Sequence, residues 1–245
     1  MKCVMTQGIY LRADGRLPCY CSTGENITLD RLPQDSSDFD FTKDYYNGSD
    51  FTRIRDCMSR DLVPFPGICE QCVYFEPETN YDPAENEKLV EWFQWEPSFN
   101  CQLGCPWCGN EMRKDYNQDP GRARVMGMDM FKSVVSSLAD NGYTLGMGNL
   151  CGYGEPTLNP DVWEMIRFAK DQIGGDILMS TNGNSPFSDK IVPSGLDKIK
   201  IAIDGTTQNT YVRQREFGEL SKVLEFTKKL ADHKAQLGVD HPKII

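Results

Sequence analysis

Three neighbouring runs decide the fold: Thr144-Leu-Gly-Met-Gly-Asn-Leu-Cys-Gly152, Asn159-Pro-Asp-Val-Trp-Glu-Met-Ile-Arg-Phe-Ala-Lys170 and Gly174-Gly-Asp-Ile-Leu-Met-Ser180. The first is a glycine-rich run of strand length. The second opens like a helix, with Asn159 as N-cap and Pro160 at the first helical position. Val162, Trp163, Met165, Ile166 and Ala169 then recur at helical spacing. Gly174-Gly175 stops the helix, and Asp176–Ser180 is a second short strand. A strand, a helix and a strand in this order need a crossover, so the two strands run parallel.

The same alternation continues in both directions. Leu89–Trp95 is a strand whose aromatics Trp92, Phe93 and Trp95 suit a core, followed by a helix over Asp129–Asn141 with Met130, Phe131, Val134, Val135 and Leu138 on one face. Downstream, Phe187–Gly195 is a short connection and Lys198–Ile203 a strand whose alternation leaves one face less buried. A long helix spans Glu219–Leu237 and ends at Gly238. Four strand–helix alternations predict an α/β fold with parallel strands, either an open sheet or a partial (β/α) barrel. In both, the reactive site lies at the C-terminal ends of the strands. Four strands and the start of a fifth at Pro242–Ile245 predict a barrel that is short at its C-terminal side. Three arrangements fit that edge: a fragment, a second chain completing the barrel, or an N-terminal module covering it.

Residues 1–80 differ from 81–245 and predict a small cysteine-rich N-terminal domain. They are turn-rich and hold six of the ten cysteines (Cys3, Cys19, Cys21, Cys57, Cys69 and Cys72). Gly8–Cys19 reads as a hairpin around Asp14-Gly15. Residues 22–50 read as a polar, acidic excursion, Asp50–Arg60 as a helix with Phe51, Ile54 and Met58 on one face, and Asp82–Glu87 as a linker. The net charge of -10 makes the chain a poor partner for nucleic acid. No run approaches the ~20 apolar residues that a membrane span requires. No signal-peptide pattern is present, and a cytoplasmic location is expected. Clustered thiols with only two histidines, His233 and His241, both expected on the surface, point to thiolate metal or redox chemistry.

Cys101-Gln-Leu-Gly-Cys105-Pro-Trp-Cys108 follows the first strand directly. Three thiolates on one loop suit a 4Fe–4S cluster with one iron left open. Zinc is the alternative, with Cys151 as its fourth ligand.

This motif, with Trp107 before the last cysteine, resembles the cluster signature of the radical SAM superfamily. Gly152-Tyr153-Gly154-Glu155-Pro156 is similar to that family's Gly-Gly-Glu-Pro stretch, and the resemblance implies that its backbone and Glu155 meet the amino group of S-adenosylmethionine (SAM). Ser180-Thr-Asn182-Gly is similar to the turn after the third strand. Ile203-Asp204-Gly followed by Arg215 is similar to the stretch after the fourth, which implies Asp204 near the ribose and Arg215 on the SAM carboxylate. Four matches in order cover about 150 residues of the chain. The implied activity is reductive cleavage of SAM at the 4Fe–4S cluster held by Cys101, Cys105 and Cys108. A 5′-deoxyadenosyl radical forms and abstracts hydrogen from a peptide or small-molecule substrate. The cofactor carries the hard chemistry and the protein supplies orientation. The implied electron donor is a flavodoxin or ferredoxin.

Cys3, Cys19, Cys69 and Cys72 resemble the ligands of SPASM and twitch modules, which bind an auxiliary 4Fe–4S cluster. A zinc knuckle of Cys19, Cys21, Cys69 and Cys72 is the alternative for this segment. Cys57 reads as a small core residue, and Cys151 as either core or ligand. Arg113, Lys114, Arg122 and Arg124 read as a solvated loop. For the whole chain, the rival reading is a non-catalytic iron–sulfur or zinc protein that transfers electrons or serves as a scaffold.

Overall fold

The computed structural model describes residues 2–19, 27–33, 39–76, 88–108 and 123–245. Cys21, the Asp82–Glu87 linker, Arg113, Lys114 and Arg122 lie outside them.

The strands are β1 (Lys2–Cys3), β2 (Gly8–Leu11), β3 (Arg16–Pro18), β4 (Thr28–Arg31), β5 (Phe75–Glu76), β6 (Leu89–Trp95), β7 (Thr144–Leu150), β8 (Asp176–Thr181), β9 (Lys198–Ile201) and β10 (Lys243–Ile244). The helices are α1 (Ser49–Ser59), α2 (Met128–Asp140), α3 (Val162–Ile173), α4 (Gln208–Gln214) and α5 (Leu220–Leu237). Six strands form one sheet in the order β10-β9-β8-β7-β6-β2, and every neighbouring pair is parallel. From β6 to β10 each new strand adds on the same side of the last. The order never reverses, as it does in a doubly wound sheet. Right-handed crossovers then put successive helices on one face, the winding of a (β/α) barrel.

That helix-covered face is apolar. Phe93 and Trp95 of β6 point to it and meet Phe131 of α2, with ring centroids 6.3 and 5.5 Å apart. Gly148 on β7 makes room, because a Cβ there would stand 2.8 Å from the Trp95 ring. Met165, Ile166 and Ala169 of α3 are buried in the same core. Each fully buried side chain of this size contributes roughly 1.5–3 kcal/mol. By strand alternation the opposite face carries Tyr10, Gln94 and Asn149, all buried and polar.

The N-terminal segment departs from the expected hairpin. The Asp14-Gly15 turn forms, with Gly15 at φ +80° and its N–H donating to Arg12 O at 3.0 Å. Its two arms then separate into different sheets. β3 pairs antiparallel with β4, while β2 lies parallel to β6 with Leu11 opposite Trp95. Residue 80 therefore marks a change of composition, while the sheet and the core run across it. Within the excursion, the described residues from Phe39 on carry regular structure that its polarity does not suggest. Phe41–Tyr46 is a wide helical turn that buries Phe41 and Tyr46, and Thr42 N–H bonds Ser137 Oγ of α2 at 2.8 Å.

Other elements fall near their expected bounds. α1 buries Phe51, Ile54 and Met58 as its spacing requires. α3 starts later than the Asn159-Pro160 signal, with Asp161 at its N-cap. Asn159 is buried and spends its Nδ2 on Pro97 O and Met126 O, at 2.8 and 3.0 Å. His233 is half-buried, its ring edge-on to Phe187 at 5.7 Å, whereas His241 is exposed.

Candidate functional site

The Cys101–Cys108 loop leaves the C-terminal end of β6 and is tied down at both sides. Phe99 N–H donates to Arg124 O at 2.7 Å, and Gly104 N–H to Glu216 O at 3.0 Å. A Cβ on Gly104 would meet the exposed Phe217 ring at 2.9 Å, so that ring would have to shift. Donors face two of the thiols. Leu103 N–H and Asn182 Nδ2 lie 3.4 and 3.7 Å from Cys101 Sγ, and Arg215 Nη1 lies 3.7 Å from Cys105 Sγ. Cys108 Sγ donates to Tyr153 O at 3.9 Å. All three thiols line one cleft, with Cys151 beside them. Amide and guanidinium donors aimed at sulfur favour thiolate and suit an anionic thiolate-held cluster. Among the described residues, no group of three Cys, His, Asp or Glu side chains closes as a single-ion site. A cubane instead takes each thiolate on a different iron.

The second wall of the cleft is the turn after β7. Gly152, Tyr153, Gly154 and Glu155 line it. A Cβ on Gly152 would stand 2.3 Å from Glu96 Oε1, and one on Gly154 would stand 1.9 Å from Ser98 O. Both glycines are thus fixed by the close approach of this turn to the end of β6. Glu155 is buried and buckles two strand ends together. Its Oε1 accepts from Thr157 N–H, Thr157 Oγ1 and Thr181 Oγ1, and its Oε2 accepts Asn182 N–H at 2.8 Å. A carboxylate has about four acceptor sites, two per oxygen. Any remaining capacity for a ligand amine is therefore on Oε2. Pro156 is buried at the start of a short turn behind this wall.

Ser180 and Asn182 line the third side, with Arg215 opposite. Arg215 Nε pairs with Asp204 Oδ2 at 2.5 Å. The Asp204 and Cys105 bonds push the guanidinium pKa up against the opposing effect of burial. Trp107 is 83% exposed and is not among the cleft's lining residues. Leu103, Thr181, Lys200 and Ala202 line the cleft without having been singled out in the sequence. Lys200 was signalled by the polar face of the Lys198-Ile-Lys200-Ile alternation. Cys151 lies at the cleft with Asn149 Nδ2 2.9 Å from its sulfur, and burial pushes its thiol up to about 11.

Residues 95–237, more than half of the chain, match the family model described as the Radical SAM superfamily. The chain belongs to the radical SAM superfamily. Among curated relatives, a probable GTP 3′,8-cyclase of Methanocaldococcus jannaschii is 26% identical over 54% of this chain and 42% of its own length. A mycofactocin maturase MftC of Mycobacterium ulcerans is 26% identical over 56% of this chain and 35% of its own. The chain thus matches less than half the length of these relatives. A solved structure of native anSMEcpe with bound AdoMet overlaps with a TM-score of 0.44 at 16% identity, covering 62% of this chain and 42% of that one. Radical SAM proteins use a 4Fe–4S cluster and SAM, and the thiols and donors of this cleft fit that pair.

Outside the radical SAM match lie the N-terminal cysteines. Cys3 caps a short turn through Met5 N–H, 3.3 Å from its sulfur, and β1 pairs it with Phe75 of β5. That pairing brings it near the Cys69–Cys72 turn. Burial pushes the Cys3 thiol up to about 11, and charge on Cys72 and Cys69 adds to the shift. Cys19 is half-buried just beyond β3 and packs against the core, and Cys57 is also half-buried.

Proposed function

We propose that this chain is a radical SAM enzyme that binds a 4Fe–4S cluster through Cys101, Cys105 and Cys108 and SAM against the Gly152–Glu155 turn. The observation that carries the reading is the single cleft shared by the three thiols, that turn and Arg215. When bound, the reduced cluster supplies the electron that splits SAM and leaves a 5′-deoxyadenosyl radical to abstract hydrogen from a substrate. The chain's own residues bind and orient. Arg215 holds the SAM carboxylate, the turn backbone and Glu155 Oε2 receive the amino group, and Asp204, freed from Arg215, meets the ribose. Trp107, exposed on the same loop, is proposed as a further contact for the nucleoside. Ser180 and Asn182 close the side of the cleft, with Asn182 also donating toward Cys101.

Cys3, Cys19, Cys69 and Cys72 are proposed as the ligands of an auxiliary 4Fe–4S cluster in a SPASM/twitch-like segment, 1–80, preceding the radical SAM core, 81–245. The gathering of Cys3 with Cys69 and Cys72 supports this. The substrate is a peptide or small molecule, and a cytoplasmic flavodoxin or ferredoxin is the reductant. Among the described residues no helix is long and apolar enough to cross a membrane. The test is anaerobic cluster reconstitution, reduction with dithionite and assay for 5′-deoxyadenosine. Its formation supports the enzyme. A protein that holds the cluster but leaves SAM intact would be the non-catalytic carrier or scaffold.

A further inference from the structure

Glu96 follows β6 directly, and its side chain is 1% exposed. It does not line the cleft. Its Oε1 accepts the Tyr153 N–H at 2.7 Å. The carboxylate sits where a Gly152 side chain would stand, with a Cβ there only 2.3 Å from Oε1. It thus fills the inside of the turn and holds the Tyr153 amide. Its other oxygen, Oε2, is buried with no hydrogen-bond partner. A buried carboxylate with an open oxygen is expensive to keep, which calls for a reason beyond packing.

The counter-charge comes from the other end of the sequence. Arg12, immediately after β2, is buried with its guanidinium carbon 5.6 Å from the centroids of both the Tyr10 and Tyr153 rings. Its charge favours the ionised form of Glu96. The two backbones are joined at the same level, with Glu96 N–H donating to Leu11 O at 2.9 Å. Arg12 therefore stands over the Tyr153 ring while its charge acts on Glu96.

We infer that Glu96, braced by Arg12 of the N-terminal strand, is a positioning residue for SAM that holds the Gly152–Glu155 turn in its ligand-receiving conformation. This rests on the proposed reading that the cleft takes SAM. Strand β2 then belongs to the SAM site, and the segment before residue 80 is part of the radical SAM machinery as well as a holder of cysteines.

Two readouts on the full chain test it. Amide hydrogen exchange at Tyr153 is followed without any ligand, and SAM affinity is measured by equilibrium dialysis on the reconstituted protein. In Glu96→Ala the Tyr153 amide loses its acceptor, so its exchange should accelerate about tenfold or more and the SAM dissociation constant should rise about tenfold. Iron content should stay at the wild-type level. Glu96→Gln keeps an acceptor oxygen and should restore most of the protection. Arg12→Gln, which leaves Glu96 in place, should shift both readouts in the direction of Glu96→Ala and serves if that variant fails to fold. Unchanged exchange at Tyr153, or a loosened turn with unchanged SAM affinity, overturns the inference while leaving the function standing. A wild-type protein that holds its cluster and binds no SAM overturns the function and the inference together.

Discussion

Arg215 reaches Cys105 across more than a hundred residues of chain: its Nη1 lies 3.7 Å from the cysteine sulfur, while its Nε is bonded to Asp204. One side chain thus links the cluster loop to the strand end after β9. A guanidinium in that place is ready to exchange Asp204 for a ligand carboxylate. Arg215→Ala should cost about 1.5–3 kcal/mol of SAM binding, a roughly 10- to 150-fold rise in dissociation constant. Iron content should hold. Equilibrium dialysis measures the first and an iron assay the second. An unchanged affinity would move the carboxylate partner elsewhere, with Arg213 next in line.

The three thiols of the loop act as a set. Replacing any one of Cys101, Cys105 and Cys108 with Ala should strip the cluster from this cleft and abolish 5′-deoxyadenosine formation. Iron analysis and chromatography of the reaction products check it. Reductive SAM cleavage by the triple variant would sink the assignment.

The parts of this site that were legible in the sequence are those written locally. Leu89–Trp95 and the stripe of α1 followed from apolar spacing, because one buried face per element leaves a period. The cysteine loop was legible from three thiols at a strand end, and the turn after β7 through its resemblance to the radical SAM family's Gly-Gly-Glu-Pro stretch. What was hidden is nonlocal. Nothing in Gly8–Leu11 says that it will pair with β6 instead of β3, since a strand's neighbour is chosen by the whole core. Helix α4 buries only Tyr211, too thin a stripe for periodicity, although Thr207 and Thr210 cap it reciprocally. Asn159 looked like a helix cap, and its Oδ1 does accept the Asp161 N–H at 2.9 Å, while its Nδ2 also spans two loops. Glu96 carries no local mark, as its meaning depends on Tyr153 and Arg12, which are far away in sequence.

Glu96 also gives a pH dependence. Burial pushes its carboxyl up to about 7 from an ordinary 4.5, against the pull of Arg12 and the Tyr153 amide. Tyr10, Asp14 and Cys151 are the other titratable groups whose charges couple to it. The folded state therefore holds this proton more tightly than the unfolded chain. Its contribution to stability is full below about pH 4.5, falls as pH rises and is gone above about pH 7. At about 1.4 kcal/mol per pH unit the change is on the order of 3 kcal/mol. Glu96→Gln cannot ionise and should lose that slope. Urea melts of both proteins at pH 5 and pH 8 measure it, and equal slopes would remove Glu96 as the titrating group.

The last prediction concerns the N-terminal cysteines. Cys3, Cys69 and Cys72 are near enough for their charges to interact, and Cys19 completes four thiols in the segment. Four protein thiolates close every iron of a cubane, so such a cluster cannot chelate SAM and is left to relay electrons or position substrate. The reconstituted protein should hold about eight irons per chain, as two cubanes. Deleting residues 1–80 is a poor test, because it removes β2 from the sheet and Arg12 from Glu96. The double variant Cys69→Ser, Cys72→Ser leaves both in place. Its iron should fall to about four, while SAM should still perturb the EPR signal of the remaining cluster. A wild-type protein with about four irons and one zinc would establish a structural zinc site in this segment. Iron unchanged in the double variant would show that these thiols hold no cluster.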